Sequence, residues 1–170
     1  MDKNWYAVYT RPRCEKKIAE TLSKKNFENY CPLNKALKQP KERKKTIQEP
    51  LFNSYVFVKA SEGQLPQIRS LNGIINIVYW QQKPVIISNE EIEAIKNFLH
   101  RHSFANLEKS FINVTSGKAE IKVESDISEA NKKIVKVLLP SLGYSMTAQV
   151  EKQNVKIIMN KPYVDYTTLR

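Results

Sequence analysis

The chain has 170 residues, of which 41% are hydrophobic and 26% are charged, and its formal net charge is +11. This composition excludes a disordered chain, and the length suffices for one ordinary domain or two small ones. A transmembrane helix is excluded because the sequence contains no run of about 18 apolar residues. The N-terminus lacks the charged and apolar pattern of a signal peptide, so we expect a cytoplasmic protein.

The positive charge is concentrated in the first part of the chain. Residues 1–60 contain 14 Lys and Arg against 6 Asp and Glu, a net charge of +8, and the other 110 residues carry +3. A basic N-terminal part predicts a polyanionic partner. Nucleic acid is favoured over a membrane because no helical segment has the large apolar face of an interfacial anchor. The alternative is a solvated basic surface without a partner.

The sequence contains no pattern typical of an enzyme or a metal site. Cys14 and Cys31 match no zinc spacing and are expected to be reduced thiols. His100 and His102 have no cysteine or carboxylate set around them. Ser/His/Asp and Cys/His sets, paired carboxylates and phosphate-binding glycine loops are also missing. We therefore predict a non-enzymatic protein that needs no metal and no cofactor.

The N-terminal segment predicts a strand, a basic helix and a second strand. Residues 5–10 are aromatic and β-branched, as in a strand that is buried on both faces. The helix that follows has Pro12 in its first turn and Glu15 near the positive end of its dipole. Residues 27–33 predict the second strand. A basic run after it predicts a hairpin tip or a mobile loop and consists of Lys35, Lys38, Lys41, Arg43, Lys44 and Lys45.

Residues 49–59 predict a strand with aromatic side chains on both faces. Strict alternation gives one face of Leu51, Asn53, Tyr55 and Phe57 and another of Phe52, Ser54, Val56 and Val58. A small domain buries one face easily, which leaves the other as a candidate docking surface. Phe52, Val56 and Val58 are expected in the core. Tyr55 and Phe57 are expected on the exposed face.

Two helices and two strands complete the first predicted domain, residues 1–99. The segments are residues 64–71 (helix), 74–80 (strand), 84–87 (strand) and the helix after Ser88. Gly73 is typical of the end of the first helix. Ser88 and Glu91 have the spacing of a capping box at the start of the second. This order indicates an α+β fold, a sandwich in which helices flank a mainly antiparallel sheet.

The remainder of the chain predicts a second, smaller module. Residues 100–110 carry both histidines without periodicity and predict a linker. Short alternating strands predict a small β-barrel over residues 111–160. Its expected strands are residues 119–123, 134–139, 146–151 and 155–159. Residues 161–170 predict a loosely held tail.

Several short motifs occur in a fixed order in the first hundred residues. They are Asn4-Trp5-Tyr6-Ala7-Val8-Tyr9, Glu15-Lys16-Lys17, Tyr30-Cys31-Pro32, the basic run, Pro50-Leu51-Phe52-Asn53-Ser54-Tyr55-Val56-Phe57-Val58 and Gly73. As an ordered set they resemble the NusG family of bacterial transcription elongation factors. Two further motifs are most similar to the RfaH-like and UpxY-like antiterminators of polysaccharide operons, Arg11-Pro12-Arg13-Cys14-Glu15 and Asn29-Tyr30-Cys31-Pro32-Leu33.

The resemblance implies a NusG-type N-terminal domain with two binding surfaces. One contacts the clamp helices of the largest subunit of RNA polymerase, and its matching residues here are Tyr9, Tyr55, Phe57, Trp80 and Ile92. Tyr9 and Trp80 have an alternative interpretation as core residues. The other surface faces the upstream fork and the non-template DNA strand, through Arg11, Arg13, Lys16 and Lys17, with Arg69 and Asn72 as further candidates. Residues 65–67 occupy the place of a contact across the polymerase cleft, but with different side chains.

The second module is expected to be a degenerate KOW barrel. The KOW signature includes a glycine-rich turn, and Gly117 is the only glycine between Gly73 and Gly143. In the family, this barrel binds the ribosome or a termination factor. The resemblance implies a monomeric elongation and antitermination factor. The alternative is an RNA-binding or ribosome-associated module that acts through the barrel, since the basic charge fits both.

Overall fold

The structure is a computed structural model that describes residues 2–38, 45–109, 120–124 and 132–151. Some predictions lie outside the described residues. They concern Lys41, Arg43 and Lys44 of the basic run, Gly117, the strand predicted at residues 155–159, and the tail at residues 161–170.

Within the described residues, the first module consists of nine strands and three α-helices. The strands are β1 (Asn4–Thr10), β2 (Glu28–Tyr30), β3 (Leu33–Lys38), β4 (Lys45–Pro50), β5 (Tyr55–Ala60), β6 (Ile74–Ile77), β7 (Tyr79–Trp80), β8 (Lys83–Pro84) and β9 (Ile86–Ile87). The helices are α1 (Glu15–Lys24), α2 (Leu65–Arg69) and α3 (Asn89–Arg101).

A five-stranded antiparallel sheet forms the centre of this module. The strand order is β2-β5-β1-β6, and β9 pairs with β1 beside β6. In β1, Tyr6 and Val8 pack under α1 and α2, whereas Trp5 and Ala7 pack under α3. The prediction of a first strand buried on both faces is therefore confirmed. The fold is a mixed α/β architecture with helices on both faces of an antiparallel sheet.

Helix α1 begins later than the sequence predicts. Arg13 has a φ of 65°, and the Cys14 N–H donates a hydrogen bond of 3.1 Å to the Arg11 carbonyl. A positive φ is incompatible with helical backbone, so Pro12 lies in this turn and the helix begins at Glu15. Glu15 lies in the first turn of α1, as predicted, and its side chain is buried, with only 4% exposed.

The strand predicted at residues 49–59 is two strands separated by a turn. Strand β4 ends at Pro50 and β5 begins at Tyr55, and Ser54 between them has a φ of 64°. The turn cancels the alternation, so Phe52 lies on the same side as Phe57, with 5.3 Å between the ring centroids. The core position expected for Phe52 is confirmed. The exposure expected for Phe57 is wrong, because this side chain is 0% exposed.

Two hydrogen bonds hold Ser54 in this turn. Its N–H donates to Oε1 of Glu15 over 2.6 Å, and its carbonyl accepts from the Thr10 N–H over 2.8 Å. The end of β1 and the first turn of α1 therefore fix the backbone immediately before Tyr55. Residues from three separate segments meet at this one turn.

The capping box of α3 is present as predicted. The Glu91 N–H donates to Oγ of Ser88 over 3.1 Å, and Oε2 of Glu91 accepts from the Ser88 N–H over 3.2 Å. The helix then continues to Arg101, and residues within the predicted linker at 100–110 form strand β10 (Asn106–Lys109). The linker segment is thus more structured than its lack of periodicity indicated.

The second module contains a four-stranded antiparallel sheet in the order β10-β13-β12-β11. The other strands are β11 (Glu120–Glu124), β12 (Lys132–Leu139) and β13 (Tyr144–Glu151), close to three of the predicted segments. Closure of this sheet into a KOW barrel stays a prediction. One hydrophobic cluster joins both modules, and its members from the second are Ala105, Val137, Leu139, Met146 and Ala148. These side chains pack with Phe52, Ile92 and Phe98 of the first.

No helix within the described ranges is both long enough and apolar enough to span a membrane.

Replacing Glu15 with alanine should lower the free energy of unfolding by about 1.5–3 kcal/mol, because the buried Ser54 N–H loses a charged acceptor. Urea unfolding followed by circular dichroism measures this change. Glu20→Ala is the matched control, since Glu20 is exposed on the same helix and its loss should cost at most about 0.5 kcal/mol. Equal destabilisation by both substitutions would contradict the assigned role of Glu15.

Candidate functional site

The predicted nucleic-acid-binding residues are all exposed, at the start of α1 and around the end of α2: Arg11, Arg13, Lys16, Lys17, Arg69 and Asn72. A backbone hydrogen bond of 2.9 Å from the Arg11 N–H to the Gly73 carbonyl brings these two segments together. Gly73 permits this approach, because its φ is 95° and a Cβ there would lie 2.9 Å from Cδ1 of Ile18. We call this set the α1 basic surface.

Lys16 has an additional contact. Its Nζ donates a hydrogen bond of 2.6 Å to the carbonyl of Gln48 in β4. The ammonium group is exposed but directed towards the β3–β4 pair of strands. The α1 basic surface therefore reaches β4.

Tyr9 and Tyr55 form an aromatic pair at the end of the central sheet. They are cross-strand partners in β1 and β5, and their ring centroids are 5.3 Å apart. Tyr9 is 37% exposed and Tyr55 is half-buried. Burial raises the pKa of the Tyr55 hydroxyl, with smaller contributions from Tyr144 and Tyr9. The pair offers two rings and two hydroxyl groups to a partner.

Two other residues of the predicted polymerase surface are buried in the hydrophobic cluster against which Tyr55 packs. Ile92 is 1% exposed in α3, and Phe57 contacts both Phe52 and Tyr30, at centroid distances of 5.3 and 6.5 Å. Direct contact of Phe57 or Ile92 with a partner therefore requires rearrangement of the side chains around them.

Trp80 is on a different element from the tyrosine pair. It is 72% exposed in the hairpin of β7 and β8, whose turn residues Gln81 and Gln82 have φ values of 48° and 63°. The alternative interpretation of Trp80 as a core residue is wrong. Its exposure leaves it available to a partner, but on a two-stranded hairpin that is separate from the central sheet.

The second module contacts the first directly beside the tyrosine pair. Phe52 and Tyr144 pack edge to face, with centroids 5.9 Å apart at 90°. Oε1 of Glu91 accepts a hydrogen bond of 2.9 Å from the Ser141 N–H. These contacts could not be expected from the sequence, since neither Phe52 nor Tyr144 belongs to a motif that implies its neighbour.

A second interaction holds the start of β10 against β3. Nδ2 of Asn34 donates to the Ala105 carbonyl over 2.7 Å, and Oδ1 of Asn34 accepts from the Ala105 N–H over 3.0 Å. An open groove of about 490 Å³ lies between the modules, and its walls include Asn34, Leu51, Tyr55 and Tyr144. Because Tyr55 and Tyr144 both line this groove, the second module restricts access to Tyr55 from one side.

Both cysteines and His102 lie in partly buried surroundings. Cys14 and Cys31 are free thiols, and burial raises the pKa of Cys31 to about 11. His102 stacks on Phe98 at a centroid distance of 4.7 Å, and burial lowers its pKa. Among the residues that the structure describes, no three His, Cys, Asp or Glu side chains are grouped as a metal site.

Comparison with models of known protein families identifies the family of this chain. Residues 3–96 match the family described as transcription termination factor nusG. The chain belongs to the NusG family. This match covers the whole central sheet and most of α3. The NusG family consists of non-enzymatic transcription factors, which supports the expectation that this member is not an enzyme.

The fold of this chain is similar to that of a solved structure. The structure reported as "Domain interaction in Thermotoga maritima NusG" is 20% identical, with a TM-score of 0.54, over 89% of this chain and 94% of that chain. A second, "Crystal Structure of MjSpt4:Spt5 complex conformation A", is 20% identical over 87% of this chain and 99% of that chain, and its TM-score of 0.33 is too low to support an argument. Curated proteins gave no match.

In this NusG-family protein, Cys31 should react slowly with alkylating reagents until the pH approaches about 11, because the thiolate is the nucleophile. The rate of iodoacetamide reaction against pH in a Cys14→Ser variant measures this, with Cys31→Ser as the control for Cys14. A rate that levels off near pH 9 would contradict the burial of this thiol. Because its pKa is raised from 9.0 on folding, Cys31 contributes stability that is present below pH 9.0 and is lost towards pH 11.

Proposed function

We propose that this protein is a transcription elongation and antitermination factor that binds RNA polymerase through Tyr9 and Tyr55 and binds DNA through the α1 basic surface. The observation that carries the proposal is the continuity of these surfaces within a NusG-family domain. Tyr9 is the exposed residue of β1, the Thr10 N–H donates to the Ser54 carbonyl, and Arg11 follows the strand at the start of the basic turn. The aromatic pair and the cationic surface are therefore joined by consecutive residues.

The two surfaces contribute differently to binding. A buried aromatic side chain at an interface is worth about 1.5–3 kcal/mol, so a few such rings suffice for recruitment after the costs of association. If the basic surface neutralises about four phosphates, a fourfold rise in salt weakens this contribution by about a hundredfold. Polymerase contacts therefore supply the salt-resistant part of the affinity, and DNA contacts adjust where the protein acts.

More specifically, we propose that this protein is a specialised NusG paralogue that acts on a polysaccharide operon. It is supported by the two motifs around Pro12 and Cys31, which resemble those of RfaH-like and UpxY-like antiterminators. A single-round transcription assay with a candidate leader, read for pause escape and terminator read-through, tests this assignment. Equal activity on leaders unrelated to such operons would contradict it.

We further propose that the second module regulates access to the polymerase-binding surface. Its Tyr144 packs on Phe52 and lies close to Tyr55, and the shared hydrophobic cluster holds the modules together. Docking of polymerase on Tyr55 then requires the second module to move away. The similarity in fold to the T. maritima protein, whose reported structure concerns a domain interaction, agrees with this proposal.

Tyr55→Ala should weaken binding to core RNA polymerase by about ten- to a hundredfold, the loss expected when one interfacial aromatic ring is removed. Fluorescence anisotropy with labelled protein measures the affinity. Phe104→Ala is the control, because Phe104 is an exposed aromatic residue outside both surfaces. Unchanged affinity of a Tyr55→Ala variant with an unaltered circular dichroism spectrum would refute the proposed docking surface.

Tyr144→Ala should have the opposite effect and raise the affinity for polymerase. An edge-to-face contact contributes about 0.5–1.5 kcal/mol beyond its buried area, so a rise of up to about tenfold is expected when the closed arrangement dominates. The same anisotropy assay applies, again with Phe104→Ala as the control. A lower affinity for polymerase in a folded variant would contradict this proposal, because Tyr144 would then contribute to polymerase binding instead of restricting access to Tyr55.

A further inference from the structure

A short hairpin, formed by β7 and β8, extends from the central sheet at β1. The Val78 N–H immediately before it donates to the Ala7 carbonyl, and the Val85 N–H immediately after it donates to the Val78 carbonyl, both over 2.9 Å. Among the described residues, its two strands pair only with each other. Backbone hydrogen bonds therefore fix the base of the hairpin to the sheet, and no described strand covers its other end.

The turn of this hairpin has an unfavourable backbone. Gln81 and Gln82 have φ values of 48° and 63°, which is left-handed backbone that a residue with a Cβ adopts only at a cost. Two-residue hairpin loops with two positive φ values ordinarily contain glycine, as in Asn-Gly. Packing in the core does not explain this cost, because residues 79–83 are all exposed. Backbone strain that packing does not explain is typical of segments that bind a ligand or a partner.

The exposed side chains of the hairpin combine an aromatic ring, two amides and a cation. Trp80 and Lys83 are direct cross-strand partners, so their side chains lie on the same face of the hairpin with about 5 Å between the Cβ atoms. Gln81 and Gln82 form the turn between them. An indole can stack on the face of a base, an amide can hydrogen-bond the edge of a base, and an ammonium group can pair with a phosphate.

The charge of this segment suits a polyanion better than a protein. Residues 70–88 contain one basic residue, Lys83, and no Asp or Glu, so no carboxylate of the segment repels phosphate. Tryptophan is enriched in protein interfaces, but lysine is depleted there. A single strand suits the hairpin better than a duplex, because unpaired bases can turn a face to an exposed indole.

We propose that the β7–β8 hairpin binds single-stranded DNA, with a base stacked on Trp80 and a phosphate paired with Lys83. The inference rests on the proposed function, in which the protein binds DNA during transcription. It adds a second DNA contact to the α1 basic surface, at the other end of β6. The seven residues from Gly73 to Trp80 span at most about 25 Å, so one strand of DNA can reach both contacts.

Trp80→Ala should weaken binding of the full chain to a DNA strand of about 12 nucleotides by about five- to a hundredfold, the loss expected when one stacking ring is removed. Fluorescence anisotropy of the labelled strand measures the affinity. Quenching of tryptophan fluorescence by an unlabelled strand should disappear in this variant, because the other tryptophan, Trp5, is buried. Phe104→Ala, which removes an exposed ring from another segment, should leave both readouts unchanged.

Lys83→Gln separates the ionic contact from the stacking contact. The slope of log affinity against log salt should be smaller by about 0.7, since each phosphate contact to a single strand contributes about that amount. Trp80→Ala should leave the slope unchanged. Lys25→Gln is the matched control, because it removes the same charge from an exposed position at the end of α1. An unchanged slope in Lys83→Gln, or an equal change in Lys25→Gln, would overturn the proposal.

The choice of partner distinguishes this inference from the proposed function. Trp80→Ala should bind core polymerase with wild-type affinity, because Tyr9 and Tyr55 are untouched. Unchanged DNA affinity in a folded Trp80→Ala variant would overturn the hairpin proposal alone. A loss of affinity confined to core polymerase, or to an RNA strand of the same sequence, would overturn it as well. Failure of Tyr55→Ala to weaken polymerase binding would overturn the docking surface and leave the DNA result at the hairpin standing.

Discussion

The backbone turn at Ser54 is the constraint on which the arrangement of both candidate surfaces depends. Its N–H is bound by a buried carboxylate from α1 and its carbonyl by the end of β1. Because Ser54 has a positive φ, the chain leaves the β3–β4 pair of strands and enters the central sheet in a new direction. The turn therefore sets Tyr55 beside Tyr9, folds Phe52 under the sheet, and attaches the basic start of α1 to the aromatic strand.

Elements with a strong local signal could be predicted from the sequence. The capping box of Ser88 and Glu91 marks α3, and the buried residues of β1 mark a central strand. Gly73 marks the turn after α2, where a positive φ and a close approach to Ile18 both require glycine. The helical part of the proposed nucleic-acid surface, Lys16, Lys17 and Arg69, was predictable for a related reason, since basic residues off an apolar helical stripe are expected to face water.

Features that depend on tertiary contacts could not be predicted in this way. Strict alternation along residues 49–59 assumes one continuous strand. The positive φ of Ser54 interrupts this strand, so the alternation pattern assigned Phe57 incorrectly to the surface. The buried role of Glu15 depends on Ser54, which is 39 positions away. The packing of Tyr144 on Phe52 joins two modules, and no local pattern in either segment encodes the other.

The two carboxylate oxygens of Glu91 have separate partners. Oε2 closes the capping box inside the first module, whereas Oε1 accepts the Ser141 N–H of the second. When the modules separate, only Oε1 loses its donor, and water can take that place, because the same motion uncovers it. The start of α3 stays capped in both arrangements. The module separation proposed above would therefore leave the cap at the start of α3 in place.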